Sequence, residues 1–98
     1  MRSTRQHILS SLKKLKEEVA REYSVKTIGL FGSVARSEET DQSDIDLLVE
    51  FSKPVGFVTF MRLENFLSER LGERVDLVTS DSLKPVIRQD VLAEVIYV

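Results

Sequence analysis

The chain has 98 residues, a formal net charge of -2 and no cysteine, which predicts one domain, residues 1–98, with one hydrophobic core. The slightly acidic balance argues against a general nucleic-acid binder, and the lack of cysteine excludes disulfides and thiolate metal sites. Because residues 1–7 are polar and no apolar run is long enough to cross a bilayer, we expect a soluble cytoplasmic protein that binds neither membrane nor nucleic acid.

The N-terminal region has apolar residues at helical spacing, namely Ile8, Leu12, Leu15, Val19 and Tyr23. They predict an amphipathic first helix, with Ser3 and Gln6 forming a capping box at its start. The opposite, charged face is typical of a solvated surface, and a partner-binding face is the second interpretation.

Residues 27–31 predict a strand that delivers Gly32 and Ser33 to its carboxyl end, where ligands gather in open α/β sheets. Glycine lets the backbone bend and approach a ligand, and a helix beginning at Ser33 would add N–H donors and a hydroxyl for a phosphate. Arg36 lies one helical turn later and suits phosphate oxygens. Its alternative is an ion pair with Glu38, Glu39 or Asp41.

Asp44 and Asp46 open a β-branched and aliphatic run, residues 45–51, that predicts a central strand. Period-two geometry places both carboxylates on one face, about 6.6 Å apart along the strand, where they can converge on one hard cation such as Mg²⁺. The alternative is that they are loop or cap residues. An EF-hand is excluded because Leu48 and Val49 stand where that loop needs an oxygen ligand and a glycine.

The second half of the chain predicts a helix over residues 57–71 that packs on the sheet and is capped by Gly72. Its apolar stripe is assigned to the core rather than to base stacking and consists of Phe57, Phe60, Met61, Leu63, Phe66, Leu67 and Leu71. A last short helix is expected to be capped by Asp81 or Ser82, with Pro85 in its first turn. The apolar end, residues 95–98, predicts a short edge strand or a docking segment.

Residues 74–79 predict a third strand, and Asp76 is its acidic residue between two apolar ones. A carboxylate in a core strand is costly unless it is paired or bound to a metal, so Asp76 is a candidate third acid. The alternative is a salt bridge to Arg74 or Arg88.

The combination of Gly32-Ser33-Val34-Ala35-Arg36 with Ser43-Asp44-Ile45-Asp46-Leu47-Leu48-Val49 resembles the DNA polymerase β nucleotidyltransferase superfamily. More narrowly, it is similar to the minimal nucleotidyltransferase (MNT) family of small catalytic domains. The resemblance covers residues 28–79, with a looser likeness over residues 94–98. It implies an α/β fold with a small mixed sheet of three to four strands flanked by helices.

The resemblance also implies an activity. Asp44, Asp46 and Asp76 would hold two Mg²⁺ ions and act as the catalytic carboxylates, while Gly32, Ser33 and Arg36 would bind the nucleotide phosphates. Members of the family are frequently antitoxins that transfer AMP from ATP to a tyrosine of a HEPN-domain toxin. The resemblance therefore predicts a protein adenylyltransferase with a HEPN partner.

Two other functions are open at this stage. The chain could be an antitoxin that inhibits its partner by binding alone, or a nucleotidyltransferase that modifies a small hydroxylated molecule, as antibiotic-modifying members do. Three mutually repelling carboxylates around an empty site argue against the first. The short chain, with no room for a substrate lobe, argues against the second.

Overall fold

The computed structural model describes residues 4–98, in which four helices and four strands follow one another along the chain. The elements of the first half are α1 (Arg5–Tyr23), β1 (Val25–Phe31), α2 (Gly32–Ala35) and β2 (Ile45–Phe51). Those of the second half are α3 (Phe57–Leu71), β3 (Val75–Thr79), a 3₁₀ turn (Ser80–Ser82), α4 (Pro85–Glu94) and β4 (Ile96–Tyr97).

The four strands form one mixed sheet in the order β3-β2-β1-β4. Strand β1 runs antiparallel to β2 and β4, whereas β2 and β3 are parallel. The predicted small mixed sheet with flanking helices is therefore confirmed. The C-terminal residues do add an edge strand, in which Ile96 pairs with Leu30 and the Val98 amide donates to the Ile28 carbonyl at 3.2 Å.

One face of the sheet carries the hydrophobic core. Alternate residues of the central strand β2, Ile45, Leu47 and Val49, join a buried cluster with apolar residues of α1 and α3. This alternation is what a half-buried strand requires, because successive side chains point to opposite faces. The other face of β2 presents Asp46, Leu48 and Glu50 away from those helices. The acidic residues therefore lie on the face that the two long helices leave uncovered.

Helix ends follow local sequence signals in most cases. Helix α1 is capped by Thr4, whose side chain accepts from the His7 amide at 3.3 Å, while the predicted cap Ser3 lies outside the described residues. Gly72 ends α3 with a left-handed φ of 72°, as predicted.

The predicted cap of α4 at Asp81 or Ser82 is wrong, although Pro85 does occupy its first turn. Residues 80–82 form a 3₁₀ turn in which the Ser82 hydroxyl donates to the Thr79 carbonyl at 2.8 Å. Lys84 is the residue before the helix, and it is extended (ψ 148°), as a residue that precedes proline prefers to be.

The apolar stripe of α3 divides between core and surface. Leu63, Leu67 and Leu71 are buried, but Phe57 is 76% exposed and does not belong to the core. Phe57 is the first residue of the helix, and the buried residues of α3 all lie in its later turns. Two further aromatic residues pack at the rim of the core: the Phe66 ring centroid lies 5.3 Å from Tyr23 and that of Phe60 lies 6.3 Å from Phe51.

Side chains of α3 protect the outer edge of β3. The Val75 amide donates to the Ser68 hydroxyl at 3.2 Å, and the Leu77 amide donates to the Glu64 carboxylate at 3.0 Å. These bonds satisfy donors that an edge strand would otherwise offer to another chain. Within residues 4–98, no helix is long and apolar enough to cross a membrane.

Candidate active site

The sheet register brings two of the three predicted carboxylates side by side. Asp46 on β2 is paired with Phe31 at the end of β1 and with Asp76 on the parallel strand β3. Asp44 stands just before β2, so it lies at the same end of the sheet. Gly32 follows Phe31 directly, which places the predicted phosphate turn against the same strand end.

Gly32 and Asp46 are in such close contact that no side chain fits at position 32. Gly32 has a left-handed φ of 78°, and a Cβ built there would overlap the Asp46 Oδ2 atom and lie 2.9 Å from Cγ. The sequence predicted that a glycine is needed here so that the backbone can approach a ligand closely. The glycine is indeed required, but the group that it approaches within the chain is the Asp46 side chain.

The carboxyl group of Asp46 is harder to ionise than an ordinary aspartate. Its pKa is raised from 3.8 to about 6, mainly by partial burial and then by the negative charges of Asp76 and Asp44. Arg36 opposes this shift and Glu94 adds to it. Burial first, and then the neighbouring negative charges, therefore disfavour the ionised form of Asp46.

Asp76 lies in this cluster for a reason that differs from the predicted one. Its side chain is exposed, so the argument from the cost of a buried charge does not hold. The alternative, a salt bridge to Arg74 or Arg88, is not formed within residues 4–98. Arg88 instead donates to the carbonyls of Ser80 and Leu83, at 2.9 and 3.1 Å. What places Asp76 beside Asp46 is the parallel register of β2 and β3.

Arg36 is held by two carboxylates. Its Nε donates to Glu38 at 3.1 Å, one of the ion pairs given above as the alternative to phosphate binding, and its Nη1 donates to both oxygens of Glu94 at 3.2 and 2.9 Å. These hydrogen bonds raise the pKa of Arg36 above its already high ordinary value. Arg36 is therefore charged and oriented at the edge of the site.

Glu94 is a site residue that sequence reasoning missed. Its Oε1 accepts from the Gly32 amide at 3.3 Å in addition to the bonds from Arg36. The segment from 94 to 98 was singled out only as a loose likeness, and no local pattern marks its first residue. The contact exists because α4 ends where β4 turns back along β1.

The helix that begins at Gly32 is too short to have a substantial dipole. Helix α2 is a single turn, and Ser33 lies half-buried within it. Any dipole contribution to anion binding is small in so short an element. Ser37, just after this turn, adopts a left-handed φ of 58°, a conformation that favours glycine.

The donor set fits a hard divalent cation that is shared with a substrate. Within the described residues, no three acidic, histidine or cysteine side chains are gathered closely enough to hold a metal by themselves. The paired acids Asp46 and Asp76 with neighbouring Asp44 offer only oxygen ligands, and Asp46 is destabilised as an anion. Mg²⁺ is commonly bound by one or two carboxylates plus phosphate oxygens, so the residues suit it.

A cleft of about 840 Å³ adjoins the carboxylates without containing them. It is lined by Leu48 and Glu50, which continue the Asp46 face of β2, and also by Thr27, Leu92 and Tyr97. The candidate site is thus at one end of the open face, and this cleft lies farther along the same strand.

A family model described as the nucleotidyltransferase domain matches residues 12–98. The chain belongs to this nucleotidyltransferase family. The match includes the whole of the candidate site, from Gly32 to Glu94.

Comparison with individual proteins shows which members of the family this nucleotidyltransferase resembles. Protein adenylyltransferase MntA of Thermococcus cleftensis is 43% identical over 95 residues, which are 97% of this chain and 96% of that protein. A solved structure described as a candidate minimal nucleotidyltransferase is 34% identical, with a TM-score of 0.83, covering 96% of this chain and 95% of the other. The predicted resemblance to the minimal nucleotidyltransferases is confirmed.

A further similar structure is a complex. It contains a tri-AMPylated HEPN toxin of Shewanella oneidensis bound to an MNT antitoxin. The matched chain of that complex is 25% identical to the nucleotidyltransferase described here, with a TM-score of 0.66, over 96% of this chain and 71% of the matched one.

Proposed function

We propose that the protein is a single-domain, Mg²⁺-dependent protein adenylyltransferase. It transfers AMP from ATP to a tyrosine hydroxyl of a HEPN-domain toxin and thereby acts as an antitoxin. The observation that carries the proposal is the contact of Gly32 with Asp46, which in turn is in register with Asp76. The Gly32 backbone, which can contact a phosphate, therefore lies beside two carboxylates that can share a cation.

The residues have separate roles in this reaction. The Gly32 amide, the Ser33 hydroxyl and the Arg36 guanidinium bind the β- and γ-phosphates and leave the α-phosphorus accessible. Asp44, Asp46 and Asp76 hold the two Mg²⁺ ions, which supply charge neutralisation at the phosphates and acidify the acceptor hydroxyl when bound. The raised pKa of Asp46 supports this role, because a carboxylate crowded by like charges gains most from a cation.

The bond changes are those of in-line phosphoryl transfer. The acceptor oxygen forms a bond to the α-phosphorus while the bond from that phosphorus to the α,β-bridging oxygen breaks, and pyrophosphate leaves. The hydroxyl proton passes to the exposed carboxylate of Asp76. Since these groups position and neutralise rather than react covalently, catalysis rests on geometry and charge.

The proposed partner, a HEPN-domain toxin, is inferred from the names of similar proteins. The MntA relative is named a protein adenylyltransferase, and the similar complex pairs an MNT antitoxin with an AMPylated HEPN toxin. The protein described here has large exposed apolar residues on α3, α4 and β4 and no basic excess. A protein acceptor is consistent with that surface.

The test is an adenylyl-transfer assay with a HEPN-domain protein as the acceptor. Purified enzyme, Mg²⁺, α-labelled ATP and the partner are mixed, and the partner is followed by intact mass. We expect a gain of one or more AMP units that is absent with Asp44→Asn and with a partner whose acceptor tyrosine is replaced by phenylalanine. Unmodified partner that is nevertheless silenced in a stable complex would contradict the proposal and indicate inhibition by binding.

A further inference from the structure

The carboxylate of Glu94 uses the same donors that the proposed function assigns to phosphate. Its Oε1 accepts from the Gly32 amide at 3.3 Å, and Arg36 Nη1 donates to Oε1 at 3.2 Å and to Oε2 at 2.9 Å. We propose that Glu94 is an internal substitute for a nucleotide phosphate, and that ATP must displace it from Gly32 and Arg36 to bind. This inference rests on the proposed function and concerns the regulation of the same site.

The contacts of Glu94 have the chemistry of an anion site. A carboxylate and a phosphate both present oxygen acceptors that a guanidinium and a backbone amide can bind together. Arg36 also donates to a second carboxylate, that of Glu38, through its Nε. Glu94 is the carboxylate that contacts Arg36 and Gly32 at once, so it marks the position where these two donors converge.

Occupation by Glu94 and by a polyphosphate is mutually exclusive. Both are anions, both require the Gly32 amide, and Asp46 already lies against that glycine. A phosphate placed there with Glu94 still present would meet a second negative charge without an additional donor. The exchange is feasible because the Glu94 side chain is 26% exposed and that of Arg36 is 47% exposed, so both can rotate toward solvent.

The exchange is linked to the C-terminal end of the fold. Glu94 is the last residue of α4, and β4 begins two residues later beside β1. Displacement of its side chain breaks the hydrogen bond that joins the end of α4 to Gly32, the first residue after β1. Hydrogen exchange at the amides of residues 95–98 is therefore expected to increase when nucleotide binds.

The experiment compares nucleotide affinity in three variants. Glu94→Gln weakens the pair with Arg36, Glu94→Asp keeps the charge but shortens the reach, and Glu38→Gln removes one charge from the same arginine without affecting Gly32. The dissociation constant for Mg²⁺ with α,β-methylene-ATP is measured by calorimetry for each folded protein. We expect both Glu94 variants to bind about threefold to tenfold more tightly, as for loss of a partly exposed charged pair.

Glu38→Gln should change the affinity by less than about twofold, because a surface ion pair outside the phosphate position contributes little. If Glu94→Gln and Glu94→Asp bind equally or more weakly while the wild type binds, Glu94 supports Arg36 instead of competing, and the inference is overturned. Tightening in Glu94→Gln but not in Glu94→Asp would indicate general charge repulsion and would also overturn it. No binding by any of the proteins would reject the proposed function itself.

Discussion

The carboxylate of Asp46 occupies the space where a side chain at Gly32 would project. Two features act together at this position: a left-handed backbone, with φ at 78°, and the contact with Asp46 across the β1–β2 pair. The first feature alone favours glycine because other residues pay a steric cost there. The second makes the glycine specific to the site, because it couples the proposed phosphate turn to Asp46, a proposed metal ligand.

Gly32→Ala should therefore be more harmful than the same change at Gly72. Gly72 has nearly the same φ, 72°, but a Cβ there meets no atom within 4 Å. We expect Gly72→Ala to lower the free energy of unfolding by about 1 kcal/mol through backbone strain alone. Gly32→Ala should cost roughly 1–3 kcal/mol more from overpacking and should abolish adenylyl transfer. Urea unfolding and the transfer assay measure both effects, and equal costs at the two sites would contradict the assigned contact.

The raised pKa of Asp46 predicts a particular pH dependence of stability without metal. Because the pKa is about 6 in the folded chain and lower when unfolded, the folded state binds more protons between these values. This contribution to stability is fully present at pH below the unfolded pKa and is lost as pH rises through 6. In EDTA, we expect the melting temperature of the wild type to fall between pH 4.5 and 7 relative to Asp46→Asn. Parallel pH profiles for the two proteins would show that Asp46 titrates normally.

Asp76 should influence the Asp46 carboxyl more than Asp44 does. After burial, which is the largest cause, the charge of Asp76 raises the pKa of Asp46 more than the charge of Asp44 does, in agreement with the paired register of Asp46 and Asp76 on β2 and β3. We therefore expect Asp76→Asn to lower the pKa of Asp46 more than Asp44→Asn does. Carboxyl carbon NMR of the metal-free proteins measures the shift directly. An equal or opposite order would mean that the acids are not arranged as the register requires.

Gly29→Ala should loosen the C-terminal edge strand. An added Cβ would lie 2.6 Å from the Val95 Cγ2 atom, 3.0 Å from the Tyr97 ring and 3.1 Å from the Ile96 carbonyl oxygen. Since part of this surrounding is backbone, the strand itself must shift, at a cost of about 1–3 kcal/mol. Faster hydrogen exchange at residues 96–98, together with lower stability, would report the change. Addition of Val95→Ala should restore part of the loss, and no effect of Gly29→Ala would contradict close packing of β4 on β1.

Local pattern was sufficient for most elements of the fold. The strand predicted at residues 45–51 is β2, and the helix predicted at residues 57–71 is α3 with its Gly72 cap. These predictions succeed because side-chain period and capping residues act within a few positions of the chain. The assignment of Phe57 to the core failed because exposure of a helix end depends on what lies opposite, which periodicity does not contain.

Part of the candidate site could likewise be predicted from the sequence, and part became clear only in the structure. Gly32, Asp44 and Asp46 are close in sequence, so their motif by itself determined the chemistry to expect, a phosphate turn beside paired acids. Tertiary structure decided which groups complete it: strand register places the exposed Asp76 beside Asp46, and β4 pairing brings Glu94 to Gly32 and Arg36. Contacts between residues so far apart in the chain depend on how strands and helices pack, and no local residue pattern specifies that packing.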